Sequence, residues 1–207
     1  MVSIIFAIFV AKKGIINKMS KSNLYSIGHS NKTVEELIRE LRLFGIQYLI
    51  DVRSTPYSKY HPQFNRETLK SAINETGDIK YGYMGDAIGG LPKDTRCYTD
   101  GKVDYGKIKL MPFFIEGIER LVRANEQEFK TCVMCSEGDP KMCHRSKLIG
   151  EALRDRGIIL QHICLDYAGS PILKSQIDVI NEFSGGDNLI DLFGVTTNIT
   201  SRKAYNI

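Results

Sequence analysis

Residues 131–153, TCVMCSEGDPKMCHRSKLIGEAL, read as a buried strand, a short loop and a helix. Thr131–Cys135 carries no charge, as suits a strand covered on both faces of a parallel sheet. Gly138-Asp139-Pro140 breaks it, and an apolar-periodic run leads on to Leu153. A strand-to-helix junction at the carboxyl end of a parallel sheet is where α/β proteins bind ligands. A helix N-terminus there offers free N–H groups and a positive dipole to an anion. Cys135, Cys143, His144 and Arg145 all fall at this junction, so the segment predicts a site as well as a fold.

Outward from this segment the same alternation repeats. Strands are expected at Asn23–Ile27, Gln47–Val52, Tyr81–Met84, Phe129–Cys135 and Ile158–Leu165. Helices are expected at Asn31–Phe44, Asn65–Asn74, Pro112–Asn125 and Pro140–Arg156. Thr33 with Glu36 fits a capping box, and Val34, Leu37, Ile38, Leu41 and Phe44 form one apolar stripe stopped by Gly45. Pro112 suits a first helical position. The pattern predicts an α/β, three-layer Rossmann-like fold, a mostly parallel sheet with helices on both faces. Gly85–Gly106, with Gly89-Gly90 and a proline, reads as a long loop, and Ser170-Pro171 reads as the start of one more helix.

The chain has 207 residues, 43% hydrophobic and 25% charged, enough for one domain with a sizeable core at 23–168. Residues 1–22 are expected as an N-terminal extension and 169–207 as a partly helical C-terminal one. The apolar run Val2–Ala11 is about half the ~20 residues a membrane span needs, and its lysines follow it instead of preceding it. It is expected to be an upstream extension, with Met19 as an alternative initiator; an added strand and a membrane anchor are the other readings. The net charge of +4 is compatible with a phosphate-bearing ligand. Five cysteines without a signal-peptide pattern suggest reduced thiols in a cytoplasmic protein that binds no membrane.

The expected strand ends bring chemistry to one edge. Gly28-His29-Ser30 follows the first strand, Asp51-Val52-Arg53-Ser54 the second, and Cys135-Ser136-Glu137 the fourth. His29, Asp51 or Glu137 could transfer protons. Asp51, at the end of an apolar strand, needs a cationic partner, and Arg53, Arg145 and His29 are the candidates. Arg53 and Arg145 could form a fork for phosphate or carboxylate. Residues three apart on a strand face opposite ways, so Cys132 belongs to the core while Cys135 faces the site. Cys143, beside Arg145 and near a helix start, is expected to have a lowered thiol pKa. Cys135, Cys143 and His144, with His29 as a fourth, offer a metal set of no standard spacing. No cysteine has the downstream arginine a tyrosine phosphatase requires, and Cys97 and Cys164 read as structural. Ser54–Phe64 interleaves tyrosines with Lys59 and His61, a pattern able to stack bases.

Four segments, YSIGHSNKTVEELIRELRLFGIQYLIDVRSTPYS, GDAIGGLP, DGKVDYGKI and CSEGDPKMCHRS, taken in order from Tyr25 toward Asp166, resemble the domain-of-unknown-function 488 family. The resemblance implies a compact α/β domain and carries no assigned reaction. It implies a site at the matching positions: His29, Asp51, Cys135, Glu137 and Cys143 as the catalytic candidates, and Ser30, Arg53, Ser54, Gly89, Gly90, His144 and Arg145 as the binding ones. The leading expectation is an enzyme acting on a phosphate-bearing small molecule, a nucleotide or a nucleic acid. A non-catalytic anion-binding or redox-sensing module and a metal-binding protein are the alternatives. The sequence names no cofactor and no oligomeric state.

Overall fold

A computed structural model of the protein describes residues 22–183 and 200–204. The run Val2–Ala11 and about half of the C-terminal extension lie outside these residues. Among them, no helix is long and apolar enough to cross a membrane.

Six strands form the main sheet: β1 (Leu24–Gly28), β2 (Tyr48–Asp51), β3 (Lys80–Tyr83), β6 (Thr131–Cys135), β7 (Gln161–Leu165) and β8 (Pro171–Ser175). Their order is β3-β2-β6-β1-β7-β8. All neighbours are parallel except β7 and β8. The fold is the three-layer, Rossmann-like α/β arrangement. Helices α1 (Val34–Leu43) and α2 (Arg66–Glu75) cover one face, where Leu37, Leu41, Leu69 and Ile73 pack on Tyr25, Ile27, Leu49, Cys132 and Met134. On the other face, α5 (Pro112–Glu126) brings Phe114, Ile118 and Leu121 against Leu24, Val133 and Cys135. The period of two along β6 thus sends Cys132 and Cys135 to opposite faces.

The capping box forms as expected: Thr33 accepts from the Glu36 N–H and Glu36 from the Thr33 N–H. Three segments differ from expectation. Gly85–Gly106 is not one loop. It contains the short helix α3 (Gly85–Ile88) and a hairpin of β4 (Tyr98–Thr99) and β5 (Lys102–Asp104), followed by α4 (Tyr105–Ile108). The hairpin turn puts both Asp100 and Gly101 at positive φ, as its tight two-residue geometry requires. A second small sheet, β4-β5-β9, is completed by β9 (Thr200–Ala204).

Pro140–Arg156 is not one helix either. A 3-10 turn spans Pro140–Met142, a π-helical segment Arg145–Gly150, and α6 (Glu151–Arg154) continues from it. Ser170-Pro171 starts no helix: Pro171 opens β8, an edge strand where a missing N–H costs least, and α7 (Gln176–Phe183) follows.

Candidate thiol site at the carboxyl edge of the sheet

Alternation along the strands decides which side chains meet. Ser26 of β1, Cys135 of β6 and His162 of β7 face the side covered by residues 145–154. Asp51 of β2 faces the α1 and α2 side. The sequence-predicted residues therefore reach one edge but from two sides of the sheet.

On the α1 and α2 side the cluster is bonded largely within itself and meets the cleft through Arg53. Asp51 is fully buried and takes three bonds from Arg53, the backbone N–H to Oδ1 at 3.1 Å, Nε to Oδ1 at 2.9 Å and Nη2 to Oδ2 at 2.6 Å. Tyr81 donates to the same carboxylate at 2.9 Å. Of the three partners considered for Asp51, Arg53 is the one observed. Arg53 also donates to the Phe64 carbonyl, and its Nη1 lies 3.3 Å from His29 Nε2. His29 Nδ1 donates to the Ser30 carbonyl at 3.0 Å, so Nε2 is left to accept from Arg53. Its ring stacks on Phe64 at 4.1 Å between centroids. Burial above all, aided by the Arg53 charge and opposed by the Ser30 bond, lowers the His29 pKa to about 4. His29 is a neutral, buried ring.

On the other side lie the sulfurs. Cys135 Sγ and Cys143 Sγ are 2.8 Å apart, and both thiols are free. Arg145, with no exposed surface, runs beneath them: its Nε is 3.0 Å from Cys135 Sγ and 3.4 Å from Cys143 Sγ. The other guanidinium donors go to Ser26 Oγ at 3.2 Å and to the carbonyls of Glu137 at 2.6 Å and Gly138 at 3.3 Å. Among the described residues, Arg145 has no carboxylate partner. A buried guanidinium needs an anion, and among the described residues the two sulfurs are the groups placed to supply one.

Cys143 is the better placed for that charge. Its sulfur accepts the Arg145 backbone N–H at 3.4 Å and lies 3.6 Å from His144 Nδ1. His144 Nε2 is 3.2 Å from the Val52 carbonyl, which can only accept; Nε2 therefore carries a proton and Nδ1 faces the sulfur. Burial works to raise the Cys143 thiol, but the bond from Cys135, the Arg145 charge and the His144 ring outweigh it and hold the thiol well below its ordinary value. Burial, together with the bond it makes to Cys143, pushes Cys135 well above. Both directions favour the negative charge on Cys143 and the proton on Cys135.

Two glycines allow this packing. A Cβ on Gly28 would stand 2.0 Å from the Glu137 carbonyl and 3.0 Å from Arg145 Nη2; a Cβ on Gly90 would strike the His144 ring at 2.8 Å. Gly89 packs equally tightly on Ser54, whose hydroxyl accepts the Leu91 N–H at 2.9 Å.

A cleft of about 320 Å³ opens above the sulfurs, lined among others by Arg53, Ser54, Gly90, Glu137, Cys143 and His144. Tyr105 of α4 and Ser201 of β9 also line it. Cys135 also reaches this lining. His29, Asp51, Gly89 and Arg145 support the cleft from behind and do not line it. Ser30 lines a separate cavity with Lys32, Lys141 and Cys164. In the Ser54–Phe64 loop, Phe64 is the buried anchor and Tyr60, 91% exposed, points away from the core.

The sequence reading missed a buried relay behind Arg145. Ser26 Oγ, which accepts from Arg145, lies 2.6 Å from His162 Nδ1; His162 Nε2 lies 2.7 Å from Gln176 Oε1. Gln176 Nε2 donates to the Ser146 carbonyl and to Glu151, which fixes its amide orientation. His162 therefore donates from Nε2 and accepts from Ser26. Burial first, then the Arg145 charge, lowers its pKa to about 4.

Cys135, Cys143 and His144 place three metal-ligand atoms within 4.8 Å of one another. The fixed guanidinium against both sulfurs opposes a cation there, so the donor set suits a thiol site better than a metal centre. A family model described as Domain of unknown function DUF488 matches residues 33–152. No curated protein and no solved structure matches the chain.

Proposed function

The chain belongs to the family described as Domain of unknown function DUF488, and from that premise we propose that it is a thiol-dependent enzyme acting on a phosphate-bearing small molecule or nucleotide, with Cys143 as nucleophile. One observation carries this reading: Cys143, only 4% exposed, lines an open cleft, and its sulfur is 3.4 Å from a buried guanidinium that has no carboxylate partner among the described residues. A low-pKa, reachable thiolate is the attacking form of cysteine. The substrate class rests on the cleft lining, where Arg53 and His144 supply positive or donating groups and Ser54, Thr55 and Ser136 supply hydroxyls.

In this reading the Cys143 thiolate attacks the electrophilic centre of the substrate and forms a covalent bond to it. The leaving group takes from His144 Nδ1, which faces the reacting sulfur, the proton that the Cys143 thiol gave up to it, while Nε2 keeps its own proton on the Val52 carbonyl. Water then cleaves the covalent intermediate and returns Cys143 as the thiolate and the proton to His144. Arg145 acts from beneath as the fixed counter-charge.

The test is protection from alkylation. Iodoacetamide should label Cys143 quickly at neutral pH, and a panel of nucleotides and sugar phosphates should contain members that slow the labelling at least about tenfold at saturation. Labelling as slow as that of the buried Cys132 would overturn the nucleophile. Fast labelling that no phosphate compound slows would overturn the substrate class. A second reading, a non-catalytic redox module, is favoured by the short distance between the two sulfurs.

A further inference from the structure

The distance between Cys135 and Cys143 has a consequence of its own. Their sulfurs are 2.8 Å apart within one turn of chain, eight positions from each other. A disulfide needs about 2.05 Å, so closing it asks for a shift of under an ångström. Cys132 packs on the opposite face of the sheet, Cys97 is fully buried in the core, and Cys164 lines the other cavity. Cys143 is reachable from the cleft, and Cys135 stands directly beside it.

We propose that this pair is a hydroperoxide-reactive, reversible dithiol, in which Cys143 is oxidised first and Cys135 resolves it. The proposal rests on the reading of Cys143 as the reactive thiolate. The Cys143 thiolate attacks the distal oxygen of a hydroperoxide, the O–O bond breaks, and the departing alkoxide or hydroxide takes a proton from solvent to leave as alcohol or water; Cys143 becomes a sulfenic acid. The Cys135 sulfur then attacks the Cys143 sulfur, its proton leaves with the departing hydroxide as water, and the disulfide closes. Two electrons have passed from the two cysteines to the peroxide.

The surroundings make that disulfide easy to reduce. Oxidation removes the negative charge that Arg145 faces at 3.0 and 3.4 Å and leaves its guanidinium buried without an anion. Burying an unpaired charge is costly, whereas reduction restores the thiolate and the pairing. The same logic makes a disulfide a strong oxidant when its reduced form is stabilised. A small dithiol should therefore regenerate the pair, and Cys143 should cycle instead of accumulating higher oxides.

The experiment uses the full chain, reduced and freed of reductant, then exposed to one equivalent of hydrogen peroxide. Free thiols are blocked and the chain is digested and weighed. The expected product is a Cys135–Cys143 disulfide that dithiothreitol reverses. In Cys135→Ser, dimedone should capture a sulfenic acid at Cys143; in Cys143→Ser, no disulfide should form at Cys135. Alkylation rates measured in parallel separate the two readings. Fast alkylation of Cys143 with no disulfide after peroxide overturns the dithiol and leaves the nucleophile standing. Disulfide formation with sluggish alkylation overturns the nucleophile and, with it, the assignment of Cys143 as the thiol oxidised first. Oxidation of Cys143 straight to sulfinic acid in the unmutated chain overturns the resolving role of Cys135.

Discussion

Arg145 Nε points at Cys135 Sγ from 3.0 Å, and the same nitrogen is 3.4 Å from Cys143 Sγ. A fully buried cation is thus bound to two sulfurs and to main-chain carbonyls, with no carboxylate among the described residues. This relationship sets the charge state of the site.

Arg145→Met is expected to remove the charge while keeping much of the volume. The Cys143 thiol should move up toward the ordinary cysteine value of about 8.5. The carbonyls of Glu137 and Gly138 lose their donor, which should lower the unfolding free energy by about 1–3 kcal/mol. Urea unfolding and thiolate absorbance against pH measure the two effects. A stability loss with no change in thiol titration would make Arg145 a packing residue only.

Two buried neutral histidines predict an acid-sensitive fold. His29 and His162 both have pKa values lowered to about 4, chiefly by burial, against about 6.5 unfolded. The unfolded chain then binds protons that the folded chain refuses. Their contribution is complete above pH 6.5 and is lost as pH falls from 6.5 through 4, on the order of a few kcal/mol for each. Unfolding free energy measured at intervals across this window should fall steadily. A flat profile between pH 6.5 and 4.5 would contradict the buried neutral assignment.

Asp51 tests the structural cluster. Asp51→Ala strips Arg53 of its buried carboxylate and Tyr81 of its acceptor. Breaking a buried pair from one side costs about 3–5 kcal/mol, so the variant should melt far below the parent or fail to fold. A melting temperature within about 2 °C of the parent would show that the pair is not structural.

The relay behind Arg145 is expected to tune the thiol. His162→Leu removes the acceptor of the Ser26 hydroxyl, itself an acceptor of Arg145, and frees Gln176. The alkylation rate of Cys143 near neutral pH should drop several-fold and its pH dependence should shift upward. A lower melting temperature with an unchanged alkylation profile would assign His162 to stability alone.

Much of this was legible in the sequence where the signal is local. Uncharged Thr131–Cys135 announced a buried strand, and a period of two separated Cys132 from Cys135. Thr33 and Glu36 announced the start of α1. The Pro140–Arg156 helix was misread because periodicity cannot show that Cys143 and Arg145 both turn inward: the chain takes a 3-10 turn and a π segment to bury them. Pro171 was read as a helix start when its role is at the first position of an edge strand. The relay left no local trace, since Ser26 and His162 are 136 positions apart and meet only through the pairing of β1 with β7. The partner of Asp51 stayed open among three cations until the structure placed Arg53 on it.

The most direct test is the rate of Cys143 alkylation by iodoacetamide as a function of pH, followed by mass spectrometry of the Cys143 peptide. The account predicts a rate that is already at its plateau at pH 7, with the midpoint well below the ordinary thiol value. It also predicts that Arg145→Met moves that midpoint upward. A midpoint at or above about 8.5 in the unmutated chain would contradict it.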